Sequence, residues 1–116
     1  MTDFDYNNKY FRGGVNYDSG DLTAETLFHY RQSGSVVWGT YAGGNVSFGT
    51  LVAKVRADGR LDMVWQYLNK AGEFHSGTCL STPELLPDGR CRLHESWQVA
   101  DGHGTSGSSV IEEVRP

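Results

Sequence analysis

Glu95 is the residue of this 116-residue chain whose type and setting most directly invite chemistry. It falls in the row Cys91, Leu93, Glu95, Trp97 and Val99, which alternates with Arg90, Arg92, His94, Ser96 and Gln98. Period-two alternation marks a strand with one face against a core and the other against water. The carboxyl of Glu95 is therefore expected to point inward. A buried carboxylate must accept hydrogen bonds or keep its proton. That condition suits a general acid or base, or a polar anchor for a ligand. It equally suits a brace bonded to Ser, Tyr or Trp donors on neighbouring strands, with Ser106, Ser108 and Ser109 as expected neighbours.

Trp38, Trp65, Tyr67 and Trp97, with Phe28 and Tyr30, are the candidates to line an interior. Such rings can wall a cavity for a flat or apolar ligand, or simply fill a small barrel. Gly39, Gly49, Ala53 and Gly77 on the same segments leave room. Of the four histidines, His29 and His94 fall on outward rows and His103 in a glycine loop. His75 alone shares an inward row, with Gly77 and Cys79. No metal spacing joins them, so neither a metal nor another cofactor is expected. Gly13-Gly14 and Gly43-Gly44 lack the pattern and the following helix of a phosphate cradle. The run Gly102-His103-Gly104-Thr105-Ser106-Gly107 has no strand-turn-helix setting for a nucleophile. Glu112-Glu113 reads as a solvated strand face. Cys79 and Cys91, twelve residues apart, read as small buried hydrophobes; a bridge across one hairpin is the alternative.

The elements that would position these residues are set by turns. Seven clusters rich in Gly, Asp, Asn and Ser recur: Asp18–Asp21, Ser33–Ser35, Gly43–Asn45, Asp58-Gly59, Asn69–Gly72, Pro87–Gly89 and Asp101–Gly104. Such residues supply the positive φ of tight hairpins. Between them, segments such as Leu61, Met63, Trp65 and Tyr67 alternate with Asp62, Val64, Gln66 and Leu68. Seven turns separate eight strands. The spacing predicts an all-β, eight-stranded antiparallel up-and-down meander, closed into a barrel in which a first strand from Tyr6 to Val15 pairs with a last from Ser108 to Val114. No segment carries a helical stripe; Thr82-Pro83-Glu84-Leu85-Leu86 offers one turn at most.

The size fits one domain spanning 1–116. Fourteen aromatics among 38% hydrophobic and 21% charged residues exclude a disordered chain. A net charge of -4 argues against nucleic acid. No apolar run approaches the length of a membrane-spanning helix. No secretion signal opens the sequence, so a cytoplasmic protein with reduced thiols is the expectation.

Glu25-Thr26, Tyr30-x-Gln32-x-Gly34, Tyr41-x-Gly43-Gly44, Gly59-x-Leu61-Asp62-Met63, Arg92-Leu93-His94-Glu95-x-Trp97 and Ile111-Glu112-Glu113 resemble a family of small bacterial proteins often given the automatic name N-acetylglutamate synthase. That name implies an acetyltransferase, whereas the residues supply no loop and helix to hold a pyrophosphate. The architecture is more distantly similar to the calycin barrels (avidins, lipocalins and fatty-acid binders), which implies small-molecule binding. The leading functional expectation is a barrel that binds a small apolar or aromatic molecule, with Trp65, Tyr67 and Trp97 as walls and Glu95 as polar handle. A structural barrel or homodimer is the second reading, through an outward patch of Phe48, Val52, Val64 or Leu68. An enzyme using Glu95, with His75 or Tyr67, for acid/base chemistry is the third.

Overall fold

The computed structural model describes residues 4–13 and 18–115; residues 1–3, 14–17 and 116 lie outside them, among them Gly14 and the Val15 expected to end the first strand. Ten strands follow in order. They are β1 (Lys9–Gly13), β2 (Asp18–Ser19), β3 (Leu22–Thr23), β4 (Leu27–Ser33), β5 (Val36–Gly43), β6 (Val46–Val55), β7 (Leu61–Asn69), β8 (Phe74–Leu85), β9 (Cys91–Val99) and β10 (Ser106–Val114). Eight of them form a closed antiparallel barrel in the order β1-β10-β9-β8-β7-β6-β5-β4, and β1 closes it by pairing with both β10 and β4. The eight-stranded meander read from the turns is the architecture observed.

Two local expectations need correction. The cluster Asp18–Asp21 does not join two barrel strands; it is the tip of a small β2–β3 hairpin inserted in the long β1–β4 connection. The segment Thr82–Leu86 contains no helical turn, because Thr82 to Leu85 extend β8 beyond its last pair with β7, Leu61↔Ser81. Pro83 therefore stands where one side of its strand is unpaired, which a residue without an N–H tolerates.

One end of the barrel is closed by packing. Tyr6, Phe11, Val37, Leu61, Leu93 and Ile111 are fully buried, each side chain contributing roughly 1.5–3 kcal/mol in lost water contact. Tyr6 plugs that end and donates its hydroxyl to the Gly59 carbonyl at 2.9 Å. Gly59, at φ 89°, makes the turn that brings the carbonyl there. Glu113 is also inside, 6% exposed, rather than solvated. The pleat puts it on the row of Ile111, and Cys91 N–H donates to it at 3.0 Å while Lys9 lies at 3.6 Å. Glu112 keeps the outward position, with Arg92 at 2.9 Å. Both cysteines are free and buried.

Candidate functional site

The opposite half of the barrel is hollow. A cavity of about 440 Å³ runs from the β2–β3 hairpin, where Gly20 and Leu22 form its rim, down to Glu95. Pockets of roughly 300–1,000 Å³ are the size that takes small molecules. Tyr30, Trp65, Tyr67 and Trp97 line it together with Phe28, Tyr41, Leu51 and Met63. Trp65 stacks beside Tyr67, with ring centroids 5.9 Å apart. Its indole N–H is held by the Thr78 carbonyl at 3.0 Å. Tyr41 donates to the Gln66 carbonyl at 3.1 Å.

Large rings leave this space because glycines stand opposite them. Tyr30 pairs across strands with Gly39, Tyr41 with Gly49, Trp65 with Gly77 and Trp97 with Gly107. A Cβ at Gly77 or Gly107 would sit 2.5 Å from the indole opposite. Each ring thus lies against a bare strand instead of crossing the barrel. Gly39, Gly49 and Gly77 do leave room, but the room is taken first by the aromatic rings and only then by the cavity.

Glu95 is placed by the register of three strands. Ser81 of β8 and Ser109 of β10 are its direct cross-strand partners. Ser81 Oγ donates to Oε2 at 3.1 Å and Ser109 Oγ to Oε1 at 3.5 Å, with Cys79 Sγ at 3.9 Å from Oε2. Desolvation raises the Glu95 pKa to about 7, against the pull of these three donors. No Lys or Arg lines the cavity among the described residues. The hydroxyl of Tyr30 is buried with no hydrogen-bond partner among the described residues. Its own pKa is raised well above the ordinary phenol value by burial first, then by Glu95 and Cys79. Cys79 is pushed up to about 12 by burial and by Glu95, which makes it a poor nucleophile.

The structure brings Glu95, Trp97, Trp65, Tyr67 and Tyr30 to one cavity and leaves two expected residues out. Trp38 faces outward, 41% exposed, beside Val52. Val36-Val37-Trp38 is apolar on both faces, so periodicity is mute there, and the register places Val37, Gly39 and Tyr41 inside. His75 does share the inward row but stands at the rim, pairing with Tyr67 and packing against its ring at 5.3 Å. Its Nε2 lies 3.8 Å from Asp21 and 3.9 Å from Glu73, and it does not wall the cavity. Of the three serines expected near Glu95, Ser109 reaches it, whereas Ser106 and Ser108 are exposed, Ser108 bordering the cavity.

Ser81, Cys79 and Tyr41 were missed by sequence reasoning. Ser81 follows His75, Gly77 and Cys79 on the same inward row, so the signal was present once the β8–β9 register is known. The β2–β3 hairpin gave no such signal. It covers the mouth because Asp21 Oδ2 accepts hydrogen bonds from Tyr67 Oη and Asn69 Nδ2, both at 3.1 Å. The Asp21 carbonyl also accepts from Asn45 N–H at 2.9 Å.

Among the described residues no group of three metal-binding side chains converges. A family model described as avidin-like protein matches residues 4–114. No curated protein and no solved structure matches the chain.

Proposed function

The chain belongs to the avidin-like protein family, and from that premise we propose that its barrel binds a small, largely apolar or aromatic molecule. The rings of Trp65, Tyr67 and Trp97 are the walls, and Glu95 receives the ligand's polar group. The observation that carries this reading is a cavity of ligand size that is walled by aromatic rings and reaches the carboxyl of Glu95. A barrel stabilised by packing alone has no need to leave that space.

Titration with N-phenyl-1-naphthylamine, whose emission rises in apolar surroundings, tests the reading. Saturable binding with a change in tryptophan emission is the expected result. No change in the emission of the native protein, with the naphthylamine behaving as it does in buffer, would defeat it.

A second reading rests on the outer face and concerns a second copy of the chain. Trp38, Val52 and Val64 form one outward cross-strand row, and Phe48, Leu68 and Phe74 another. Val64 is 57% and Phe74 83% exposed. The row between them, Thr40, Thr50, Gln66 and Ser76, is uncharged, so the patch can meet its own copy without like-charge contact. Sedimentation equilibrium should give a dimer or larger, which Val64→Glu dissociates; a monomer at every concentration up to millimolar overturns this reading.

A further inference from the structure

We infer that the ligand is a cation: a protonated amine or amidine carried on an aromatic or apolar body. The inference rests on the binding reading above and names its substrate class. Glu95 is a carboxyl with three donors from Ser81, Ser109 and Cys79 but no cationic partner. The groups packed around it that can ionise are Cys79 of β8 and Tyr30 of β4, and both would become negative if they did. An ammonium placed against Glu95 would donate to its carboxylate oxygens.

The walls favour the same charge. Rings of Phe28, Tyr41, Trp65, Tyr67 and Trp97 present electron-rich faces, to which a cation is drawn. The mouth extends the pattern. The connections at that end carry Asp21, Glu25, Glu73 and Asp101 against Lys70 as the one lysine or arginine among the described residues. The arginines of the turns at the closed end are held by their own carboxylates, as in Arg56–Asp62 and Arg60–Asp58, both at 2.8 Å. A cationic ligand approaching the open end therefore meets attraction and no competing positive charge inside. An anionic ligand meets the reverse.

Pairing also dictates a proton count. With Glu95 protonated in the empty cavity below pH 7, an ammonium that pairs with its carboxylate expels that proton to the buffer. A neutral ligand expels none.

Isothermal titration of the native protein with 3-phenylpropylamine, 3-phenylpropan-1-ol and 3-phenylpropanoate, at pH 6 in buffers of different ionisation heat, reads both consequences. The amine should bind at least ~10-fold tighter than the alcohol, with the acid weakest, and should release close to one proton. Glu95→Gln should abolish both the amine's advantage over the alcohol and the proton release. The proton count needs no variant. An alcohol that binds as tightly as the amine, or amine binding without proton release, overturns the cation class and leaves the cavity reading standing. So does binding of N-phenyl-1-naphthylamine in the absence of binding by all three phenylpropyl compounds. Failure of every compound, naphthylamine included, overturns both.

Discussion

Trp97 and Gly107 face each other directly across β9 and β10, and the indole occupies the place a side chain at 107 would need. The cavity depends on this contact, because Trp97 has nowhere else to lie except the barrel axis. Gly107→Val should therefore push the ring inward. Ligand binding should weaken at least ~10-fold, and overpacking should cost roughly 1–3 kcal/mol of stability. A titration with N-phenyl-1-naphthylamine beside a urea melt reads both effects. Unchanged affinity would mean that Trp97 has another resting place.

The strands were legible because each turn carries its own chemistry. Asp58-Gly59 and Asp88-Gly89 have the positive φ their glycines announce, 89° and 87°. Glu95 was legible because its neighbours Leu93 and Trp97 share one face by parity alone. Trp38 was not, since Val37 competes with it for the interior and only the register decides. Glu113 escaped for another reason: a carboxylate at a strand end reads as solvated unless Lys9 and the Cys91 N–H, distant in sequence, are known to converge on it. The lid hairpin escaped because its anchor, Asp21 to Tyr67 and Asn69, is entirely tertiary.

The pH dependence of stability should carry the mark of Glu95. Its pKa in the folded protein, about 7, stands above the ordinary 4.5. The folded state therefore holds a proton that the unfolded state has lost between those values, and stability falls as pH rises through this window. The full loss is on the order of 3 kcal/mol by pH 8. Glu95→Gln removes it, so the variant and native melting curves should converge near pH 4.5 and separate towards pH 8, with the variant the more stable. Parallel curves across that range would place the carboxyl in water.

Ser81 tests the same carboxyl from the opposite side. Its hydroxyl donates to the ionised form and so lowers the Glu95 pKa against the effect of burial. Ser81→Ala should move the Glu95 titration upward and leave the aromatic walls in place. Carbon-detected NMR of the glutamate side-chain carboxyl, followed against pH, checks the direction. A downward move would show that the serine's main effect is exclusion of water.

Asp21 holds the hairpin over the cavity through two side-chain hydrogen bonds and one backbone bond. Asp21→Ala deletes the side-chain pair and leaves Asn45 N–H bonded to the residue 21 carbonyl. The hairpin should then open more often without unfolding the barrel, since Leu22 still packs against the core. Two hydrogen bonds to a carboxylate, partly exposed, amount to roughly 1–2 kcal/mol, or about a tenfold rise in the open population. Amide exchange at Leu22 and Thr23 should quicken by that factor while exchange at Leu61 and Leu93 stays slow. Ligand association and dissociation should both accelerate, with affinity changed little, because the hairpin gates the mouth and does not hold the polar group. If association is unaffected while exchange quickens, the route into the cavity lies elsewhere, and Val99 and Thr105 on the far rim become the place to look for it.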